Sequence, residues 1–345
     1  MNSNRVMGLI LAVAGGAFGL VTALHGQTQS GDWTIHRSDE PGKVEVSIMD
    51  SRGGHHFHSS SDWEVKELTG LDLSKPGRQD VHFTITRDAG KFDCEGYVKD
   101  GDGVGFFHFT PDANYAKEMK ALGFDGIAGD KQWAMAIHDV SLKFAKEMKA
   151  RNLQGLDADK LIAFRIHGVT PEFIDQIRSS GVKVSDSDRF VAFRIHGVSP
   201  EFVSDLRAAG LTVTDSDKLV AFRIHGVTPE MVRSVRAAGY EADPDKLVAM
   251  RIHGASPEWM ADLKKCGYDH ASVDLDNLIA FRIHGVSPEF ISEVQKLGYS
   301  HPEPDQLIAM RIHGVTPEFI NKLQSRGMKN LTIDQLVSMR IHGID

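Results

Sequence analysis

The chain has 345 residues, a formal net charge of −8, 41% hydrophobic and 25% charged side chains. That length exceeds what one hydrophobic core usually serves, so two or more structural parts are expected, and the composition excludes wholesale disorder. The acidic balance, with no Lys/Arg cluster to interrupt it, argues against binding DNA or RNA through a phosphate-neutralising surface, and no nucleic acid is expected.

The first residues read as a targeting signal. Asn2–Arg5 is a short positive segment, Val6–Val21 an apolar run, and Val21-Thr22-Ala23 offers a cleavage site. Residues 1–26 are therefore expected to be a signal peptide, and the protein periplasmic or secreted. The alternative is an uncleaved anchor, the one route by which a membrane enters, although a spanning helix wants about 20 apolar residues and this run is shorter. Cys94 and Cys266 are the two cysteines. Export permits them to pair, and two separate thiols are the other outcome.

From residue 31 to 109 the pattern has the period of strands. Val81, Phe83 and Ile85 alternate with His82, Thr84 and Thr86. Asp88-Ala89-Gly90 turns the chain, Phe92, Cys94, Gly96 and Val98 return, and Lys99–Gly103 turns again into Val104–Phe109. With Trp33–His36, Val44–Ile48 and His56–Ser59 this predicts a small antiparallel sheet of five or six strands, Trp63–Leu73 lying over one face. Asp100-Gly101-Asp102-Gly103 opens like a calcium loop but runs into Phe106-Phe107, so it reads as a hairpin turn. His56 and His58, two apart on a strand, would share a face and make half of a zinc or copper site, with His36, His82 or a carboxylate as the third ligand. The competing reading is a solvated polar strand face.

From residue 110 to 345 the sequence repeats. Arg-Ile-His-Gly occurs seven times, supplying Arg165, His167 and Gly168; Arg194, His196 and Gly197; Arg223, His225 and Gly226; and Arg251, His253 and Gly254. The last three copies supply Arg282, His284 and Gly285; Arg311, His313 and Gly314; and Arg340, His342 and Gly343. Weaker copies stand at Ile137-His138-Asp139-Val140-Ser141 and at Phe107-His108-Phe109-Thr110-Pro111. The copies recur about every 29 residues, and a fixed period of that size is the signature of stacked repeats. Only the steps into Arg251, which is short, and into Arg282, which is long, depart from it.

Each unit punctuates two helices. Asp215 caps the first and Asp217 complements its dipole, with Asp159, Asp188, Asp245, Asp276, Asp305 and Asp334 at the equivalent place elsewhere. Leu219, Val220, Phe222 and Ile224 leave few polar positions, so this helix should be buried on most sides, and Gly226 ends it. Thr228, Pro229 and Glu230 open the second helix; Met231, Val232 and Val235 form its inward stripe, and Gly239 closes it. Short loops make the helices antiparallel, and each hairpin leaves an apolar flank that only stacking buries. The predicted fold is α+β: a small antiparallel β domain (31–109), then an α-solenoid of about nine helix hairpins of about 29 residues (110–345).

Stacking sets the arginines and histidines in rows. A guanidinium of the Arg223 type is expected to reach an acid in the neighbouring unit, with the Asp217 and Glu230 types as partners, and His225 to hydrogen-bond free helix-end carbonyls. A functional reading makes the rows a site for metal ions or a polyanion, but one His per layer of about 10 Å is too sparse for tight zinc. No His-Glu-x-x-His, Gly-x-Ser-x-Gly or phosphate loop is present. No cofactor and no catalytic residue are expected.

The hairpin Val81–Phe109, running through Phe109-Thr110-Pro111 into Tyr115-Ala116-Lys117-Glu118-Met119 and then Arg-Ile-His-Gly-Val-Thr-Pro-Glu-Phe units, resembles a poorly characterised group of exported bacterial proteins. In some relatives similar repeats follow membrane zinc metallopeptidases of the beta-lactam-sensor type. This sequence has neither the zinc motif nor the membrane helices, so the resemblance implies the repeat-bearing part without proteolysis.

The function expected is a non-enzymatic scaffold that binds a protein or peptide. The supporting pattern is free variation at outward positions such as Arg233/Ser234, Ala261/Asp262 and Asn321/Lys322. A metal-binding envelope sensor using His56 and His58 is the first alternative. The second is self-association through the C-terminal half-repeat Leu336–Gly343.

Overall fold

The structure, a computed structural model, describes residues 29–52 and 55–344; of residues 50–52 and 55–58 it describes the backbone alone. The expected signal segment, residues 1–26, lies outside the described residues.

Alternation of apolar and polar residues builds one sheet. Its strands are β1 (Gln29–Arg37), β2 (Lys43–Arg52), β3 (His55–Glu64), β4 (Leu68–Thr69), β5 (Arg78–Arg87), β6 (Gly90–Lys99) and β7 (Asp102–Pro111). They pair antiparallel in the order β3-β2-β1-β7-β6-β5-β4. The sequence pattern had room for five or six strands. The extra one is β4, two residues drawn onto β5 because Leu68 buries its side chain. A 3-10 turn, Val65–Glu67, precedes it, so Trp63–Leu73 starts in one edge strand, β3, and contains the other, β4. Asp100-Gly101, both at positive φ, form the turn between β6 and β7.

The core of this part surrounds Trp33, which is fully buried and donates its indole N–H to the Glu95 and Phe106 carbonyls at 3.2 and 3.1 Å. The indole lies flat against Gly96 and Gly105, where a Cβ would stand 2.7 and 2.6 Å from its ring. Those glycines cut the slot that the indole fills. Phe83 meets it edge-on at 5.1 Å, Phe92 packs against Phe107 and Phe109, and the pKa of the buried Cys94 thiol is pushed up to about 12 by burial first and the Asp93 charge second. Cys94 and Cys266 are both free thiols.

The helices follow in chain order: α1 (Ala113–Ala121), α2 (Asp130–Ile137), α3 (Leu142–Lys149), α4 (Ala158–His167) and α5 (Pro171–Ser179). Next come α6 (Ser187–His196), α7 (Pro200–Ala208), α8 (Ser216–His225), α9 (Pro229–Ala237), α10 (Pro244–His253) and α11 (Pro257–Lys265). Last are α12 (Leu275–His284), α13 (Pro288–Lys296), α14 (Pro304–His313), α15 (Pro317–Ser325) and α16 (Ile333–Ile341). The fold is thus α+β, an antiparallel sheet followed by a helical repeat array.

Two compact units divide the described chain. The first closes at Ala116 and takes in Ala128–Ile137; the second comprises Lys117–Ile127 and runs on from His138. Helix α2 therefore belongs with the sheet, where Gln132 donates to the Ala89 and Asp112 carbonyls at 2.8 and 2.6 Å. At Phe107–Pro111 the weak copy of the repeat is strand β7, so nothing there corresponds to a first-type helix. At Ile137–Ser141 the copy keeps the helix end but has Ala136 in place of the arginine, and Asp139 adopts the left-handed conformation (φ 50°) that glycine holds elsewhere.

In the second unit, helices of like type stack on one another. Even-numbered helices from α4 to α16 pack in series, and odd-numbered helices from α3 to α15 pack in a second series. Apolar stripes explain this: Leu219 and Phe222 of α8, and Val232 and Val235 of α9, are fully buried. The first helices from α4 to α12 start on a capping aspartate, as where Asp215 accepts the Asp217 N–H at 2.7 Å, and those from α4 to α14 end on a left-handed glycine. Each second helix from α5 to α15 starts with a Ser or Thr cap and Pro at its first turn.

Candidate functional site

The Arg-Ile-His-Gly stretch forms the last turn of each first helix, so its residues recur at one place on every layer. Glycines 168, 197, 226, 254, 285, 314 and 343 all hold φ between 67 and 74°, the left-handed geometry that lets the next residue turn back. Val227, the residue after Gly226, sends its N–H to the Phe222 carbonyl at 2.8 Å and buries its side chain. What is left outward is the Arg, the Ile and the His.

The arginine's partner differs from the acid expected. Arg194 Nε donates to the His167 carbonyl at 3.2 Å and Arg223 Nε to the His196 carbonyl at 3.2 Å. Arg251, Arg282 and Arg311 likewise reach His225, His253 and His284 at 3.1 to 3.4 Å. The guanidinium also lies over an aromatic ring of the preceding second helix: Arg194 over Phe173 at 5.0 Å, Arg223 over Phe202 at 4.9 Å, Arg282 over Trp259 at 5.2 Å. Arg311 and Arg340 cover Phe290 and Phe319 in the same way. A helix-end carbonyl carries the negative end of the dipole, and a ring face is negative too, so one cation satisfies both across the unit boundary. Arg165 adds a carboxylate, Asp139, at 2.8 Å beside the His138 carbonyl at 3.0 Å. This row is a set of clamps between layers.

Carboxylates of the Asp217 type are taken by another cation. Lys160 pairs with Asp188, Arg189 with Asp217, Lys218 with Asp245, and Lys246 with Asp276 at 2.7 Å. A further row joins the second helices: Arg178 donates to the Arg151 carbonyl at 3.0 Å, Gln295 to Cys266 at 2.9 Å and Gln324 to Leu297 at 3.3 Å.

With the arginines committed to clamping, the histidines and isoleucines remain. It is the main-chain carbonyls of His167, His196, His225, His253 and His284 that serve the array, in place of the carbonyl-seeking imidazoles expected; from His196 onward the side chains are exposed. His313 and His342 are exposed in the same row.

The isoleucine between Arg and His overturns the expectation of a helix buried on most sides. Ile166, Ile195, Ile224, Ile252, Ile283, Ile312 and Ile341 are each 53–57% exposed. The signal was in the sequence: at about 100° per residue, Ile224 lies about 200° from Phe222 and about 140° from Leu219, off the inward stripe. Hydrophobicity had suggested inside, and the helical angle says outside. Each layer thus presents an arginine, an exposed isoleucine and a histidine at the same place.

His56 and His58 stand on β3, but their side chains lie outside the described residues. Among the described residues no group of three or more His, Cys, Asp or Glu side chains is placed to hold a metal ion, and no helix is long and apolar enough to cross a membrane. No protein-family model, curated protein or solved structure matches the chain.

Proposed function

We propose that this protein is an exported, non-enzymatic scaffold that binds a protein or peptide partner along the Arg-Ile-His ridge of its helical repeats. The observation that carries the reading is the isoleucine row, more than half exposed in all seven copies. Local stability gives no reason for it. Ile is a poorer helix former than Ala, Lys or Arg by a few tenths of a kcal/mol, and its exposed methyls gain nothing from water. A single exposed Ile is ordinary, whereas one at the same place in every layer forms a repeated apolar surface of the kind that partners cover. The exposed positions that vary between units, such as Arg233/Ser234 and Ala261/Asp262, sit on the second helices and would tune which partner fits.

The test places a photo-crosslinking residue at Ile224 or Ile283 in the full chain, made in its own cell, with the adduct identified by mass. One defined adduct is expected. The triple variant Ile224→Lys, Ile252→Lys and Ile283→Lys should lose capture of that partner while its thermal midpoint stays within a few degrees of wild type. Crosslinking that is absent along the ridge, or capture indifferent to the three lysines, would overturn the reading.

A further inference from the structure

The array is irregular at one place, where the step from Arg223 to Arg251 is short and the step from Arg251 to Arg282 is long. The extra residues fall after α11 and fold into a tight turn. Asp269 accepts the Ala271 N–H at 3.0 Å on its carboxylate and the Val273 N–H at 2.8 Å on its carbonyl, while its own N–H goes to Ser272 Oγ at 3.0 Å. The turn lays His270 against Gly239, where a Cβ would stand 2.6 Å from the imidazole Cγ. One unit earlier, the Arg236 guanidinium fills that place over Gly210.

Lys264 stands where Arg207, Arg236, Gln295 and Gln324 stand on the other second helices. Its ammonium forms no hydrogen bond or ion pair among the described residues, unlike Gln295 and Gln324, which clamp the preceding layer. The groove it leaves uncovered is a surface pocket of about 310 Å³ between α9 and α11. Its walls are Ala237, Ala238, Pro257, Met260 and Ala261. Ala238 is exposed there, whereas Ala209 at the same position one unit earlier is buried.

Four donor groups line the pocket beside these apolar walls: the Lys264 ammonium, the His270 imidazole and the hydroxyls of Tyr240 and Ser234. Tyr268 and Tyr299, which follow the closing glycine in the next two units, spend their hydroxyls on the Pro302 and Leu331 carbonyls at 2.6 and 2.9 Å. Tyr240 has no such acceptor among the described residues, and meets His270 edge to face at 6.2 Å. Burial first, and then the charges of Asp269 and Asp274, push the Tyr240 phenol up to about 12, so it stays a donor at neutral pH. The one carboxylate lining the pocket, Asp269, is turned to its own backbone.

Apolar walls with a rim of unspent donors, one of them a full positive charge, are complementary to an apolar body with an anionic head. We propose that this pocket binds a compact apolar group bearing a carboxylate, either a free small acid or the C-terminal residue of a peptide. The carboxylate meets Lys264 and the Tyr240 hydroxyl, and the apolar body lies on Met260, Ala238 and Ala261. The volume is at the small end of ligand sites, which fits a single ring or a short aliphatic chain.

The experiment is calorimetric titration of the full chain with four probes: 4-phenylbutyrate, 4-phenylbutanol, and acetyl-Leu-Phe with a free or an amidated C-terminus. One-to-one binding of at least one acid is expected, with its neutral counterpart weaker by roughly tenfold or more, which is about 1.4 kcal/mol. Binding of phenylbutyrate alone identifies a free acid as the source, and binding of the free peptide alone identifies a peptide end. Lys264→Gln should weaken the acid by roughly tenfold, the contribution of one charge-assisted contact. Ala261→Trp should fill the pocket and abolish binding; the site is exposed, so an unchanged melting curve confirms that the variant folds. The proposal is overturned if neither acid binds at about 10 mM, if the neutral probes bind as well as the acids, or if Ala261→Trp still binds.

Discussion

Arg223 holds two partners that lie in the unit before its own, the His196 carbonyl and the Phe202 ring. Arg251 makes the same carbonyl bond, but the preceding second helix carries Met231 where others carry an aromatic residue. The chain thus contains its own control. A double-mutant cycle of Arg223→Ala with Phe202→Leu should yield a coupling of about 0.5–1 kcal/mol, the size of an exposed cation–π contact. The same cycle on Arg251 and Met231 should yield much less, and equal couplings in urea unfolding would remove the ring from the account. Gly226 offers a second test. Its φ of 72° costs an alanine about 1–2 kcal/mol, and the new Cβ would stand 3.0 Å from Arg251 Nη2. Asp139 already occupies that conformation in the Ile137–Ser141 copy. Gly226→Asn should therefore lower stability less than Gly226→Ala, and the reverse order would mean that the clash with Arg251, not the backbone, sets the penalty.

Helices in this array are joined by charge as well as by packing, and the sign of each contribution fixes a pH window. Hydrogen bonds from Lys160 to Asp188 and from Lys246 to Asp276 raise both lysines above their ordinary 10.5. A raised folded value means stability that is present in full below 10.5 and lost as pH climbs through the folded values. On the acid side, Glu201, Glu258, Glu289 and Glu318 are lowered from 4.5, first by the capping Ser or Thr hydroxyl and then by their own N–H. Their contribution is present in full above 4.5 and lost as pH falls through the folded values. The thermal midpoint should therefore be flat from about pH 5 to 10 and fall at both ends, gently, because the glutamates are exposed, the lysines only half-buried, and all are screened. A midpoint still climbing below about pH 4 would contradict the capping account. Much of this element grammar was legible in the sequence. Asp215, Thr228, Pro229 and Gly239 act on backbone groups a few residues away, and their residue types alone state what they do. The arginine's partner was not legible. It is a carbonyl 27 residues back, which every residue type carries, and only stacking brings it within reach. The seventh strand was equally silent, since two residues at Leu68–Thr69 make no period.

Contacts in the repeat unit run between neighbours: first helix on first helix, second on second, with the Arg and Lys rows each spanning one boundary. An array built that way has stability that is a sum over units and their interfaces, so its register, not its length, is what the sequence specifies. Removing Val198–Gly226, one full period, would join Gly197 to Val227 and leave every remaining interface of a kind the array already contains. Arg251 would then meet the His196 carbonyl in place of His225. Removing Val198–Gly210, less than half a period and containing α7 alone, would set two first-type helices in succession and leave the flanks of α5 and α9 without a partner. The full-period variant should keep its helical circular dichroism in proportion to length and melt cooperatively, a few degrees below wild type. The half-period variant should melt broadly and expose apolar surface to a hydrophobic dye. Equal damage in the two variants would mean that units are not interchangeable, and that long-range contacts outside the neighbour rule hold the array together.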